Sequence, residues 1–208
     1  MGLIIFSAWC LFSYGLGCVS WASFLVRRLR GLDLREHGSG NLGATNAGRI
    51  LGRRWAVIIY LLDFGKGAVA AGAPTLIWQD LTASFPLVVV AGLLSILGHV
   101  FPAHLGFRGG KGVATASGVI AVLWWPSLLL ALGAWILTAA TSRMVSAASI
   151  VAAISIPISY YLTLDKEAVD PWKTGLFLLL AIMVTFLHRG NIGRILNGTE
   201  SRIGPQKK

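Results

Sequence analysis

Charged residues are scarce in this chain of 208 residues: Asp, Glu, Lys and Arg make up 12% of it, whereas 55% is hydrophobic. A soluble globular domain carries about 25% charged residues. The shortage excludes an ordinary soluble fold and predicts an integral membrane protein. The net charge of +10 does not indicate nucleic-acid binding, because the basic residues of membrane proteins collect in cytoplasmic loops.

Cysteine is also rare. The two cysteines, Cys10 and Cys18, both lie in the first apolar stretch and lack a C-x-x-C spacing. They give no basis for a disulfide or a metal site, and we expect them to be small packing residues. The N-terminus has no basic segment, since the first charge is Arg27. A cleavable signal peptide is therefore not expected, and the first apolar stretch is predicted to be a retained transmembrane helix.

The signatures of common catalytic nucleophiles are missing. The sequence has no G-x-S-x-G elbow and no convincing Ser-His-Asp or Cys-His set. None of its four histidines is followed by Asp five residues later, so an H-x-x-x-x-D box is absent as well. His99 and His104 are the only pair that suggests a metal, but Pro102 separates them and no Cys or carboxylate is near. A satisfied polar role at a helix end is the better interpretation.

The apolar segments predict an all-α membrane protein with seven transmembrane helices, at residues 3–26, 55–78, 86–104, 113–125, 127–141, 145–164 and 173–187. The fourth and fifth are short, reaching only about 20 Å as helices, so they would cross thinned bilayer or form a re-entrant pair. Fifteen of the 18 Lys and Arg residues fall on the side that this arrangement makes cytoplasmic. The asymmetry predicts an external N-terminus and a cytoplasmic C-terminus, with external loops at Gln79–Asp80 and Asp165–Pro171. A single domain, residues 1–208, is expected.

Three unusual polar stretches fall on the predicted cytoplasmic side. The first begins at Gly38 and fits G-x-G-x-x-G, but it follows a membrane helix instead of a strand, which argues against dinucleotide binding. One interpretation is that its small donors bind an oxyanion or a polyol; the other is that they cap the helix that holds Arg49. The candidate donors are Ser39, Asn41, Thr45 and Asn46.

The second stretch, GFRGGKGVAT at residues 106–115, places Arg108 and Lys111 among four glycines. It is not a nucleotide-binding P-loop, because Leu105 stands at the first glycine position and Gly112 follows the lysine. Two cations, a nest of backbone N–H groups and a helix that starts near Gly112 favour a doubly charged phosphate. Alternatively, the glycines let helices approach closely and the cations meet lipid headgroups.

The third stretch starts at His188, three residues before Asn191, so that both side chains can share one helical face. His188 is a candidate general base, charge partner or helix cap. Glu200 is expected to be an ion-pair partner in the basic tail. Asp63 and Lys66 lie three residues apart inside a predicted membrane helix, where charges are costly unless paired or functional, and pairing with each other or with the site is expected.

These stretches resemble the bacterial membrane acyltransferases that acylate glycerol 3-phosphate from acyl-phosphate. The resemblance runs through five segments and covers essentially the whole chain. The segments are SGNLGATNAGR (39–49), LDFGKG (62–67), GHVFPAHLGFRGGKGVAT (98–115), SRMVSAASI (142–150) and HRGNIGRILNGTE (188–200). The departures are mild: Arg108 stands where lysine is common, and the tail is somewhat long.

The resemblance implies attack by the 1-hydroxyl of glycerol 3-phosphate on a fatty acyl-phosphate, giving 1-acylglycerol 3-phosphate and phosphate without a metal or cofactor. It also implies a multi-pass protein of the bacterial inner membrane, with its active site cytoplasmic and a soluble enzyme supplying acyl-phosphate. The implied catalytic residues are Ser39, Arg49, Lys111, His188 and Asn191. The implied substrate-binding set adds Asn41, Thr45, Asn46, Arg108, Gly109, Gly110, Gly112 and Ser149.

Two other classes of function remain open. A phosphate-ester transporter would also collect cations and glycine loops, but it usually shows inverted repeats and polar breaks at the midplane. A non-catalytic lipid-binding scaffold would need the cations but not Asn41, Asn191 and the small hydroxyl donors.

Overall fold

The computed structural model of the chain describes residues 2–78, 86–164 and 169–204. The described residues are helical, with no strand among them. The helices are α1 (Gly2–Cys18), α2 (Trp21–Arg30), α3 (Ala44–Leu51), α4 (Arg53–Ile77), α5 (Leu87–Val100), α6 (Val113–Ser142), α7 (Val145–Thr163), α8 (Pro171–Leu187) and α9 (Arg189–Leu196), with 3-10 turns at Leu34–Glu36 and Ala103–Leu105. The predicted turn at Gln79–Asp80, and residues 165–168 of the second predicted external loop, lie outside the described residues.

Five helical segments in the described ranges are long and apolar enough to cross a membrane: Gly2–Arg30, Arg53–Ile77, Leu87–Leu105, Val113–Ser142 and Val145–Thr163. A sixth candidate is the pair Pro171–Leu187 and Arg189–Leu196, whose axes differ by 55°. Length and composition therefore confirm an all-helical, multi-pass membrane architecture.

The first predicted helix, at residues 3–26, is wrong in its extent, because the chain breaks between α1 and α2. Ser20 caps α2 by accepting a hydrogen bond from the Ser23 N–H at 3.4 Å. The carbonyls of Gly17 and Val19 accept hydrogen bonds from the Lys66 ammonium, at 2.9 and 2.8 Å. A side chain from another helix thus binds backbone that a continuous helix would have used internally.

A second break falls inside α6, where Trp124 has non-helical backbone angles (φ −163°, ψ 82°). The break lies two residues before Pro126, which has no N–H and whose ring clashes with the carbonyl four residues earlier. The two short helices predicted at 113–125 and 127–141 correspond to the two sides of this break. The chain also divides here into two compact units, Met1–Leu123 and Trp124–Lys208.

Close helix contacts define the first unit. A Cβ on Gly67 of α4 would collide with the Thr115 carbonyl of α6, and a Cβ on Gly118 would collide with the Phe64 carbonyl. Glycine at both positions lets the two backbones approach closely, as small residues do in membrane helix pairs. At one end of α4, a buried apolar cluster joins α2, α3 and the loop between them; its members are Ala22, Val26, Leu34, Leu42, Ala47 and Ile59.

Aromatic contacts between helices organise the second unit. The ring of Tyr160 in α7 meets Phe177 of α8 edge-on, with centroids 5.0 Å apart. Trp124 also packs edge-on against Tyr160 and donates its indole N–H to the Thr163 hydroxyl at 2.8 Å. These contacts join α7 to α8 and to the part of α6 that follows the break.

Candidate active site

A single buried amide braces the first polar loop. The Oδ1 atom of Asn46 accepts the Ser39 N–H at 3.0 Å. Its Nδ2 group donates to the His37 carbonyl at 2.9 Å and to the Leu34 carbonyl at 3.4 Å. Asn46 is 2% exposed, and a Cβ on Gly38 would collide with its Oδ1. These contacts give Asn46 a bracing role within the loop, whereas no side chain caps α3.

The other polar residues of this loop face outward. Ser39, Thr45 and Arg49 are exposed, and Asn41 is partly exposed. The residue before α3 is Gly43, and no side chain caps the helix there. The first N–H groups of α3 therefore have no acceptor within the helix. Thr45 and Arg49 lie four residues apart on one face of α3. The loop therefore presents hydroxyls, an amide, a guanidinium and a helix N-terminus together, a combination that favours an anion.

The glycine loop folds back onto the end of α5. The N–H of Gly109 donates to the Val100 carbonyl and that of Gly110 to the His99 carbonyl, both at 3.0 Å. The expectation of a nest of free N–H groups is wrong for these two glycines. The turn at Pro102 ends α5, so the last carbonyls of this helix have no donors within it. The N–H groups of Gly109 and Gly110 supply those donors.

The features of the loop that favour an anion lie at its other end. Gly112 has a φ of 78°, a left-handed conformation suited to glycine, and α6 begins at the next residue. Lys111 is partly buried beside it, and Arg108 is exposed. A basic residue therefore comes just before a helix N-terminus, where a negative charge is stabilised.

The predicted pairing of the intramembrane charges is confirmed. Lys66 Nζ lies 2.9 Å from Asp63 Oδ1, and both side chains are 2% exposed. His99 joins them, with Nδ1 2.8 Å from Lys66 Nζ and 3.5 Å from Asp63 Oδ1. His99 thus has the predicted satisfied polar role. The part of the chain that the structure describes holds no group of three or more His, Cys, Asp or Glu side chains arranged for a metal ion.

In the second unit, Glu200 is a buried hydrogen-bond acceptor that joins α7 to α9. Its Oε1 accepts from Asn191 Nδ2 at 2.6 Å and from Ser146 Oγ at 2.7 Å. Its Oε2 accepts from Arg194 Nε at 2.7 Å. The prediction of an ion-pair partner is confirmed, and the carboxylate also sets the orientation of the Asn191 amide.

Partial burial by itself would raise the pKa of Glu200. The hydrogen bonds from Ser146, Asn191 and Arg194 outweigh that effect, together with the charge of Arg194, and hold the pKa of the carboxyl below its usual value. Glu200 therefore remains a carboxylate at neutral pH, which this acceptor role requires.

His188 lies at the junction of α8 and α9 and is 4% exposed. Its Nδ1 is 2.8 Å from the Val184 carbonyl. Because a carbonyl only accepts, Nδ1 carries a hydrogen, and the lone pair of the neutral ring is on Nε2. Ser149 is also buried; it donates to the Val145 carbonyl at 2.9 Å and accepts from Trp135 Nε1 at 3.3 Å.

The predicted site residues thus form two groups, each within one unit. In the first unit, Leu105 packs against the apolar cluster beneath the Ser39–Arg49 loop, so the first two polar stretches lie at the same end of that unit. In the second unit, Glu200 links Asn191 to Ser146, one helical turn before Ser149. Arg143 binds the C-terminal segment that follows α9. Its carbonyl accepts a hydrogen bond from the Ile203 N–H at 2.7 Å, and its Nε donates to the Ile203 carbonyl at 2.9 Å.

Comparison with known proteins gives concordant matches. A profile of the glycerol-3-phosphate acyltransferase family matches residues 7–198. The glycerol-3-phosphate acyltransferase of Shouchella clausii is 41% identical over 196 residues, covering 93% of this chain and 94% of that protein. The enzyme of Zymomonas mobilis is 39% identical over 195 residues, covering 92% of each chain.

Two solved structures are similar over nearly the full length. The crystal structure of PlsY, an integral membrane glycerol 3-phosphate acyltransferase, in its glycerol 3-phosphate form has a TM-score of 0.85 and 34% identity, covering 96% of both chains. The lysophosphatidic acid form of PlsY has a TM-score of 0.82 and 34% identity, covering 96% of this chain and 95% of the other.

The brace formed by Asn46 can be separated from substrate binding. We expect Asn46→Ala to lower the free energy of unfolding by about 1–3 kcal/mol, because it leaves buried loop groups without partners. Thermal unfolding in detergent measures this. Asn41→Ala is the matched control and should leave the melting temperature unchanged, since this amide is not buried. Equal melting temperatures for the two variants would contradict the bracing role.

The lowered pKa of Glu200 predicts an acid-sensitive tail. Because the folded state holds the carboxylate more strongly than the unfolded state does, its stabilisation is complete above the usual Glu pKa. It is lost as pH falls through the lowered value. The protection factors of the amides of residues 189–203, which are the intrinsic exchange rates at each pH divided by the observed rates, should therefore fall on acidification in the wild type, and Glu200→Gln should lower them at neutral pH already.

A matched control removes a carboxylate elsewhere. A hydrogen bond from Arg35 lowers the pKa of Asp33 to about 2, so Asp33 also titrates in acid, but it belongs to the first unit. Asp33→Asn should leave the acid response of the tail in place. The same acid response in Glu200→Gln as in the wild type would assign the effect to another group.

Proposed function

Because the chain belongs to the glycerol-3-phosphate acyltransferase family, we propose that it transfers a fatty acyl group from acyl-phosphate to the 1-hydroxyl of glycerol 3-phosphate. The products are 1-acylglycerol 3-phosphate, or lysophosphatidate, and inorganic phosphate. This is the first acylation step of phospholipid synthesis. The PlsY structures, described as glycerol 3-phosphate and lysophosphatidic acid forms, are consistent with this substrate and product.

The observation that carries the proposal is that Lys111 lies just before the N-terminus of α6. A cationic residue next to a helix N-terminus favours a phosphate dianion over a neutral ligand. The Ser39–Arg49 loop at the same end of the first unit offers a second set of anion-binding groups. Both substrates of the proposed reaction carry a phosphate, so two such sets match its requirements.

The chemistry needs no protein nucleophile. Acyl-phosphate is a mixed anhydride with phosphate as its leaving group, so positioning and charge neutralisation supply most of the catalysis. A bond forms between the glycerol hydroxyl oxygen and the acyl carbon. The bond between that carbon and the phosphate oxygen breaks, and the hydroxyl proton passes to a base. This account fits the lack of a recognisable nucleophile motif in the sequence.

We propose roles in this reaction for residues of each unit. Asn46, Gly109 and Gly110 hold loop geometry and act indirectly. The groups assigned to direct contact are Ser39, Asn41, Thr45, Arg49, Arg108, Lys111, Gly112, Ser149, His188 and Asn191.

The proposal includes a location in the cell. If the two sides of the break in α6 count as two crossings, the seven predicted crossings would leave the N-terminus external and the C-terminus cytoplasmic. The polar stretches would then face the cytoplasmic side of the bacterial inner membrane. There they would receive soluble glycerol 3-phosphate, and acyl-phosphate made by a soluble enzyme.

We expect the purified protein in detergent to convert glycerol 3-phosphate and palmitoyl-phosphate to lysophosphatidate and phosphate in equal amounts. Palmitoyl-CoA should give little product, because its thioester offers no acyl-linked phosphate to an anion site. Product is measured by chromatography of radiolabelled glycerol 3-phosphate. Equal product from palmitoyl-CoA would exclude a preference for acyl-phosphate as the donor. Uptake of glycerol 3-phosphate into vesicles without acylation would favour a transporter.

The same assay tests the cationic loop. Lys111→Ala should raise the KM for a phosphate-bearing substrate or abolish turnover, while the protein keeps its melting temperature. Lys173→Ala is the matched control: this lysine lies 3.9 Å from Asp170 at the start of α8 and has no role in the proposed site. Wild-type kinetics in Lys111→Ala would remove Lys111 from the site, and a folded but inactive wild type would favour a lipid-binding scaffold.

We propose that His188 Nε2 accepts the hydroxyl proton, because the Nδ1 hydrogen bond to Val184 fixes the tautomer that this requires. His188→Asn should then lower kcat and remove the acid limb of the pH–rate profile. A reduced rate with an unchanged profile would make His188 an orienting residue and leave a substrate phosphate as the proton acceptor.

A further inference from the structure

Asp63, Lys66 and His99 form a buried polar cluster that the proposed reaction does not use directly. Their side chains are 2%, 2% and 6% exposed. Charged groups inside a membrane protein are costly and mark a function or an obligatory partner. The cluster lies between α4 and α5, two helices that both have membrane-spanning length and composition.

Lys66 connects this cluster to the break between α1 and α2. Its ammonium lies 2.8–2.9 Å from four acceptors: the carbonyls of Gly17 and Val19, Asp63 Oδ1 and His99 Nδ1. An ammonium has only three hydrogens, so the group is fully occupied. One residue thus fixes the chain break, the acidic partner and the imidazole with respect to one another.

His99 carries this constraint to the glycine loop. Its carbonyl accepts the Gly110 N–H at 3.0 Å. Its ring lies against the same glycine, because a Cβ on Gly110 would collide with His99 Nε2. A Cβ on Gly109 would collide with the His99 carbonyl instead. The loop therefore rests on both the backbone and the imidazole of His99, immediately before Lys111.

We propose that Asp63, Lys66 and His99 are positioning residues that fix the glycine loop, and through it Lys111, for phosphate binding. The role of Lys111 rests on the proposed function. The cluster holds the imidazole in one position, and the imidazole holds Gly110. Loss of the cluster lets the loop shift and displaces the ammonium and the start of α6 with respect to the phosphate.

A purely structural role makes a different prediction. Replacing a buried ion pair by apolar groups of similar volume is often neutral for stability, whereas removing one partner leaves an uncompensated charge. The balanced variant Asp63→Asn/Lys66→Met removes both charges together. A structural role leaves kinetics normal once the protein is folded, whereas a positioning role changes the KM of the folded protein.

The experiment measures loop position and kinetics separately. In Asp63→Asn/Lys66→Met, amide exchange at Gly109 and Gly110 should accelerate about tenfold or more. The KM for glycerol 3-phosphate or palmitoyl-phosphate should rise about tenfold or more, since small displacements of a binding group are costly. The melting temperature should fall, because the Gly17 and Val19 carbonyls lose their donor, so both readouts are taken below it, where the variant is folded. Unchanged exchange and unchanged KM in the folded variant would overturn the proposal.

A second test leaves the charges intact and remains informative if the balanced variant does not fold. Gly110→Ala and Gly109→Ala should each raise that KM. In a His99→Ala background, Gly110→Ala should add little, because the imidazole it meets is gone. Gly109→Ala should keep its full effect, because it meets the His99 carbonyl. If Gly110→Ala raised the KM in the His99→Ala background by as large a factor as it does in the wild type, the contact between the imidazole and the loop would be ruled out.

The two readouts distinguish failure of this proposal from failure of the proposed function. Amide exchange reports the position of the loop whether or not the protein acylates glycerol 3-phosphate. An inactive wild type whose loop amides still respond to the cluster would contradict the proposed reaction alone. An active wild type whose loop amides and KM do not respond would contradict the positioning role alone.

Discussion

The ammonium group of Lys66 is the interaction on which the first unit depends. A bilayer offers no water to a polar group, so each one needs a partner within the protein. Lys66 meets this requirement with two backbone carbonyls and two side chains, at 2.8–2.9 Å. In doing so it also binds the carbonyls that become available where α1 ends, and the break between α1 and α2 is a consequence of the same pairing.

The second unit solves the corresponding problem with a carboxylate. Glu200 accepts three hydrogen bonds of 2.6–2.7 Å from Ser146, Asn191 and Arg194. Those donors come from α7 and α9, so a residue in the tail fixes two helices and the Asn191 amide. Each unit therefore holds one strongly hydrogen-bonded ion.

The sequence was sufficient for features that depend on composition or short spacing. Apolar length predicted an all-helical membrane protein, and the i, i+3 spacing predicted the pairing of Asp63 with Lys66, found at 2.9 Å. The five motif segments predicted the family, which the profile match over residues 7–198 confirms.

Other features depend on partners that are distant in sequence, and these could not be predicted. The break after Cys18 interrupts a continuous apolar run and needs Lys66, 49 residues after Gly17, to explain it. For Asn46 the sequence left two interpretations open, binding of an oxyanion or a polyol and capping of α3. Its real partners are backbone groups of residues 34, 37 and 39, which a curved loop brings beneath it. A short sequence pattern does not predict that the loop curves in this way.

Glycine-rich loops are ambiguous for a related reason. A missing Cβ lets either a ligand or another part of the protein approach the backbone, and the sequence does not distinguish the two. At Gly109 and Gly110 the approaching group is the end of α5, which takes their N–H groups. At Gly112 the left-handed backbone instead opens α6 beside Lys111. The N–H groups of Gly109 and Gly110 are thus used within the protein, whereas Gly112 precedes α6 beside Lys111, the residue that we propose binds phosphate.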